Sequence, residues 1–445
     1  VDTALAPRTI EVGHRRMLLL ALPMTLSNVT TPLLGMVDAT VIGRLGEAHL
    51  LGAVALGAVI FDFVFWSFGS LRLATAGLTA QATGAQDPHD VERILARALV
   101  VAAVTGALLV MLQWPIAALA FPLVGASPAV TEALSVYFFI RIWSAPFALA
   151  NYAILGSTLG RGRTDLGLLL QVAINVVNII LTATLVLGFG YGVAGAAVGT
   201  ALSEVVGVAL GIVVMRRLGC NPFAVTWADI RNRAAVIQTL AMNRDIMIRN
   251  VALIGAFAVF SALGARTGDV TLAANAVLYN MFLIGGYFLD GFATAAETLC
   301  GQCIGAADKS GFYRAVRLSL VWSLGFGAGV FLVFLLSGGA FIDFVSTNPD
   351  VRSQARDYLV YAALTPLVGA TAFAFDGIFT GATWTQAMRN LMVVALAFYA
   401  IALFALRDTG NTGLWIALLV FLATRGLGQA FLWKRLAKAT FRQMA

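Results

Sequence analysis

Long apolar runs fix what this chain can become. Twelve follow one another, near residues 17–42, 50–80, 95–120, 131–157, 166–188, 192–215, 247–266, 271–301, 316–338, 354–381, 386–406 and 411–433. A run of roughly 20 apolar residues crosses the hydrocarbon core of a bilayer as a helix. Several runs are longer, which implies tilt or protrusion. With 60% hydrophobic and 11% charged residues, the composition excludes a soluble globular domain. The expected fold class is an all-α polytopic membrane protein of twelve transmembrane helices.

Charge sets the expected orientation. If both termini face the cytoplasm, the inner segments collect most of the basic residues, Arg15, Arg16, Arg216, Arg217, Arg231, Arg233, Lys434 and Arg435 among them. The outer loops then carry only Arg44, Arg266, Arg352, Arg356 and Arg407. That split satisfies the positive-inside rule. The net charge of +7 is therefore a signal of topology and not of a nucleic-acid partner. Cys300 and Cys303 have redox or metal spacing, but no second pair accompanies them, and a structural role is expected. His14, His49 and His89 all lie near span ends. No metal centre and no nucleophile–base pair can be built from these residues, so neither an enzyme nor a cofactor is expected.

The two halves match at a constant offset of 221 residues. LGAVALGA from Leu51 pairs with LAANAVLY from Leu272, QATGA at 81–85 with QCIGA at 302–306, and Gly156 and Gly160 with Gly377 and Gly381. Each half holds six spans. The expected division is an N-terminal six-helix bundle over 1–215, a linker over 216–244 and a C-terminal six-helix bundle over 245–445. An even number of spans keeps both halves in one orientation, so the bundles would be related by a pseudo-twofold axis along the membrane normal. That plan suits alternating access.

One charge interrupts the first run. Asp38 is the only ionisable residue between Met17 and Ile42. A carboxyl at membrane depth costs several kcal/mol and by default marks an ion or proton path. Asn28, Thr31, Gly35 and Asp38 share one helix face by their spacing, as do Gln171, Asn175, Asn178 and Thr182 in the fifth run; Thr200 and Glu204 lie one turn apart in the sixth. Such stripes face each other or water, since amides facing lipid carry a cost. They serve either as interhelical glue or as an ion path. Asp290 and Glu297 lie two turns apart in the eighth run, and Asp376 stands in the tenth. Arg72 and Arg141 are candidates to pair with Asp62, and Arg249 is expected to snorkel to the inner surface. Pro23 and Pro32 each remove a helix hydrogen bond and permit a bend.

LALPMTLSNVTTPLLGMVDATVIGRLG, ATAGLTAQATGAQD, RDIMIRN, NAVLYN, LDGFATAAETLCGQ and DGIFTGATWTQAMRN together resemble the DinF branch of the multidrug and toxic compound extrusion (MATE) family, over nearly the whole chain. The resemblance implies export of amphiphilic, often cationic organic compounds in exchange for protons or sodium. It implies Asp38 as the proton-coupling group, Pro23 as the point at which the first helix bends, and Asn178 and Thr200 as polar partners of the aspartate, with Asn175, Thr182 and Glu204 in the same group of candidates. Asn28, Thr31, Met36, Tyr137, Gln171, Asp290, Glu297 and Asp376 are the candidates for the substrate cavity. Many members carry a second aspartate where this chain has Thr182. The sodium-coupled NorM branch pairs an acid on the seventh helix with one on the tenth; here only Asp376 matches, which leans toward protons with sodium as the alternative. A flippase for a lipid-linked precursor is the neighbouring reading. The expected setting is the inner membrane, as a monomer with small-molecule substrates, the bilayer and no nucleic acid as partners.

Overall fold

The computed structural model describes residues 9–444; within the first helix the side chains of residues 29, 31–36 and 38 lie outside the described residues. Thr31, Met36 and Asp38 therefore lie on helical backbone, with their side chains outside the described residues. Sixteen α-helices follow in order: α1 His14–Gly43, α2 Ala48–Ser67, α3 Ser70–Gly84, α4 Pro88–Met111, α5 Gln113–Val124, α6 Pro128–Arg141, α7 Ala145–Gly160, α8 Thr164–Ala183, α9 Gly192–Arg217, α10 Trp227–Ile230, α11 Arg233–Ala265, α12 Asp269–Gly305, α13 Lys309–Val345, α14 Pro349–Gly381, α15 Thr385–Ala405 and α16 Asn411–Gln443. No strand occurs among the described residues.

Each expected span falls in a helix. Eleven described helical segments are long and apolar enough to cross a membrane, counting α2–α3 and α6–α7 as continuous, and α1 precedes them. The chain is a multi-pass membrane protein. Helices such as α12 and α13, 37 residues each, reach about 55 Å at 1.5 Å per residue. That exceeds the roughly 30 Å hydrocarbon core, so their ends stand in water. Helix α1 is continuous through Pro23 and Pro32. The interruption the prolines permit is not a break in helical structure.

The chain packs as two compact units, one of residues 26–82 and 87–243, the other of the residues up to 25, 83–86 and 244–445. In the first, α2 packs on α6, α4 on α7, and α6, α7 and α8 on α9. In the second, α12 packs on α13 and α14, α14 on α13 and α16, and α15 on α16. The core of the second unit gathers Phe260, Leu278, Met281, Trp415 and Phe421. A polar knot within it is closed on itself. Asn275 and Asn411 exchange amide hydrogen bonds at 2.7 and 2.9 Å, and the Trp415 indole donates to Asn275 Oδ1 at 2.9 Å.

The 221-residue repeat extends to backbone geometry. Gln86 and Ala307 both take φ near +56° (58° and 55°) just before a helix, and Gly162 and Thr383 both take left-handed φ (75° and 57°). Asp87 and Asp308 cap the helices that follow by accepting from Asp90 N (2.9 Å) and Gly311 N (2.8 Å). A side chain at Gly156 or Gly160 would overlap the carbonyl oxygen of Arg72 or Ala76; at Gly377 or Gly381 it would overlap that of Ala293 or Glu297. These glycines let two helices touch backbone to backbone, a device of membrane packing. Gly377→Ala is expected to force α14 off α12 and cost about 1–3 kcal/mol. Gly325→Ala meets nothing within 4 Å and should be neutral. Equal thermal midpoints for the two variants in detergent would contradict this packing account.

Residues 9–13, ahead of the first helix, belong to the second unit. Ile10 N donates to Asp308 Oδ2 at 3.0 Å and Arg16 to Gln302 Oε1 at 2.7 Å. Partial burial pushes the Asp308 carboxyl up, but the N–H groups of Gly311, Ile10 and Ser310 outweigh it and hold the group below its usual range. Its contribution to stability is thus present above the ordinary carboxylate pKa and lost as pH falls through the lowered one.

Candidate functional site

In the first unit the polar stripe of α8 meets a run of small residues on α9. A Cβ at Gly199 would stand 2.9 Å from Thr182 N and Oγ1, so glycine there is what lets the two helices close. Asn178 then reaches across, donating from Nδ2 to Thr200 Oγ1 at 3.1 Å and, more weakly, to Ser203 Oγ at 3.4 Å. Both hydroxyls spend their own protons on their helix, Thr200 on Ala196 O (3.0 Å) and Ser203 on Thr200 O (2.7 Å). Their lone pairs are therefore what the amide uses. Among the described residues two buried oxygens of this cluster have no hydrogen-bond partner, Asn178 Oδ1 and Thr182 Oγ1. An unsatisfied buried acceptor costs about 1–3 kcal/mol, so this cluster is built to receive a donor or a cation.

Asn175 lies one turn before Asn178, buried, and Gln171 Nε2 stands 3.5 Å from its Oδ1. Glu204 does not join the Asn178 cluster, although it is one turn from Thr200. It turns to α7, where Asn151 Nδ2 donates to Glu204 Oε2 at 2.6 Å and to its backbone oxygen at 3.0 Å. Sequence reasoning missed Asn151 and Ser203. Asn151 carries the signal used elsewhere, an amide inside an apolar run; Ser203 is too common in helices to stand out.

Tyr137 is buried on α6, and its hydroxyl accepts from Arg141 Nη1 at 2.7 Å. The Arg141 guanidinium lies 4.6 Å above the Phe61 ring, a cation–π contact. That arrangement corrects the expected pairing with Asp62: among the described residues Asp62 is exposed and forms no ion pair with Arg141 or Arg72. The guanidinium takes the phenol and the ring face instead.

The second unit holds a different centre. Asp376 on α14 accepts from Arg249 Nη2 on α11, from Arg425 Nη2 at 2.7 Å and from Gln429 Nε2 at 2.9 Å, the last two on α16. Arg249 was expected to reach the inner surface; its guanidinium instead stays in the protein on a carboxylate, because Asp376 offers a charge that the distant interface does not. Two guanidiniums on one carboxylate leave the group with a formal charge of +1. Asp376 is thus committed on both oxygens. Neither Asp290 nor Glu297 is among its partners; Asp290 is half-buried on α12, and Glu297 is buried farther along the same helix. Asn28 and Pro23 are half-buried on α1. Cys300 and Cys303 are free and buried, and no cluster of metal-binding side chains occurs among the described residues.

Known proteins resemble this chain over nearly its whole length. The MatE family model matches residues 23–184 and 246–406, one match in each half. The chain is 40% identical over 418 residues to DNA damage-inducible protein F of Escherichia coli, covering 94% of this chain and 91% of that protein. It is 28% identical over 453 residues to the probable multidrug resistance protein NorM of Deinococcus radiodurans, covering 96% of each. Among solved structures, a MATE crystal structure in the bent conformation superposes with a TM-score of 0.85 at 18% identity, covering 97% of this chain and 96% of that one. At that identity the likeness speaks for the fold.

Proposed function

Because the chain belongs to the MatE family, a family of transporters, we propose that it exports small amphiphilic or cationic organic compounds across the cytoplasmic membrane in exchange for protons, by alternating access. Multidrug export is taken from the printed name of the NorM relative, and the inner-membrane setting from the bacterial relative. The chain would work as a monomer with both termini in the cytoplasm, with no cofactor, through an N-terminal bundle over 1–215 and a C-terminal bundle over 245–445 joined at 216–244.

Asp38 is the proposed proton carrier. When protonated, a carboxyl gains an O–H donor and loses its charge. Asn178 Oδ1 is an acceptor whose amide protons are already committed to Thr200 and Ser203, so it would favour the protonated form. The change would be transmitted along α1 at Pro23, where the ring has removed one backbone hydrogen bond. Proton and substrate would drive each other by reciprocal linkage.

The observation that carries protons over sodium is the state of Asp376. A sodium ion needs oxygen ligands with free lone pairs, and two guanidiniums and a Gln amide already occupy this carboxylate. A sodium reading keeps one support: the open oxygens of Asn178 and Thr182 are also what a hard cation takes. Proteoliposomes loaded with ethidium separate the two. An imposed pH gradient at equal sodium should drive export, and a sodium gradient at equal pH should not. Export driven by sodium alone would overturn the proton reading.

A further inference from the structure

Glu204 borders a cavity of about 140 Å³ within the first unit, lined by Phe65, Asn151, Tyr152, Gln171 and Ile174. At a water's share of roughly 30 Å³, it has room for a few waters or one small ammonium group. The chemistry of the wall is one-sided. Glu204 supplies a carboxylate, Asn151 and Gln171 amide oxygens, Phe65 and Tyr152 aromatic rings, and Ile174 a surface for alkyl groups. Carboxylate, amide oxygen and ring face are the groups that hold an organic ammonium ion.

The carboxylate is held in place and only half engaged. Asn151 fixes Oε2 at 2.6 Å, whereas Oε1 has no hydrogen-bond partner among the described residues. No Lys or Arg lies within ion-pair distance of Glu204 among the described residues. Asn151 can take this position because residue 207 is glycine; a Cβ there would stand 2.9 Å from Asn151 Nδ2. The contrast with Asp376 is direct: one membrane carboxylate carries two guanidiniums, the other none.

We propose that this cavity is the cation subsite of the transporter, at which the ammonium group of a substrate and a proton compete for the Glu204 carboxylate. The inference rests on the transport reading above and adds a second exchangeable group to Asp38, in a chain that has Thr182 where relatives carry an acid. Competition at one carboxylate couples the fluxes without a relay: the proton that enters neutralises the group that held the cation, and the cation leaves. The titratable groups on the elements packed against α9 are few. Helix α7 offers Tyr152, in the cavity wall; α6 offers Arg141, whose field reaches Glu204, with Tyr137 and Glu132; α2 offers Asp62 and His49; α8 offers Asp165, paired to Arg163. Arg72 on α3 acts on Tyr152. Only Arg141 opposes a cation at the carboxylate, and it is engaged with Tyr137 and Phe61.

The test is equilibrium binding of benzyltrimethylammonium and of its uncharged isostere neopentylbenzene to purified full-length protein in detergent, between pH 5 and 8, with ethidium export assayed on the same preparations in proteoliposomes. Wild type should bind the ammonium more weakly at pH 5 than at pH 8, with the neutral probe unaffected. Glu204→Gln should bind the ammonium at least tenfold more weakly at pH 8 and lose that pH dependence, while keeping wild-type affinity for the neutral probe. Glu204→Asp should restore the pH dependence, which a merely structural carboxyl would not. Ammonium binding by Glu204→Gln with wild-type affinity and pH profile, in protein that exports ethidium, overturns the subsite alone. Wild-type protein that transports no ethidium under either gradient overturns the subsite together with the transport reading.

Discussion

Asp38→Asn is expected to abolish pH-driven export while leaving membrane insertion and yield unchanged. Asn matches Asp in shape but cannot gain or lose a proton. The substitution also removes the one carboxyl from the run between Met17 and Ile42, where its presence costs several kcal/mol, so no loss of stability is expected. Coupling free energies of 1–3 kcal/mol correspond to factors of up to about 150; the initial rate of ethidium export under a pH gradient should fall on the order of a hundredfold. Energetics set the bound on what one carrier can do. One charge moving through about 100 mV yields about 2.3 kcal/mol, a gradient of roughly fiftyfold for a neutral substrate at 1.4 kcal/mol per decade. Exchange of one proton for one monocation is electroneutral and draws only on the pH difference. A second exchangeable carboxyl at Glu204 would make export of a monocation electrogenic and more strongly driven. Full export by Asp38→Asn at normal expression would sink the assignment of Asp38.

The helices were the most legible part of the chain, because one physical demand dominates them. Runs that satisfy a bilayer are long, apolar and separated by polar turns, and each expected span falls in a helix. The repeat was legible for a related reason. Glycines at 156, 160, 377 and 381 are dictated by backbone contact with the neighbouring helix, and such positions tolerate little else. Polar stripes gave the residues but not their partners. Thr200 and Glu204 are one turn apart, yet they bond to different neighbours, Thr200 to Asn178 on α8 and Glu204 to Asn151 on α7. Arg249 was misjudged for the same reason: a helix position tells how deep a side chain starts, not which carboxylate stands beside it. Pairing is a property of three dimensions, and only a short spacing on one helix encodes it in the sequence.

The second large effect lies at that carboxylate. Asp376→Asn should destabilise the protein by about 3–5 kcal/mol, the usual cost of stripping one partner from a buried ion pair. The magnitude follows from what remains. Arg425 is only 4% exposed and Arg249 13%; both would keep their charge, because a guanidinium does not give up its proton at any working pH. An amide at 376 can accept one hydrogen bond from them but cannot offset two like charges that the carboxylate now holds together. Arg249→Gln makes the opposite change. It leaves one carboxylate on one guanidinium, with Gln429 still donating at 2.9 Å, and removes the excess positive charge, so the cost should stay below about 1 kcal/mol. The midpoint of thermal unfolding in detergent and the yield of folded protein in membranes measure both. The order is the diagnostic: the aspartate variant far below wild type, the arginine variant close to it. Equal losses would mean that the three side chains act as packing and not as a charge centre, and the argument that Asp376 is closed to sodium would lose its basis.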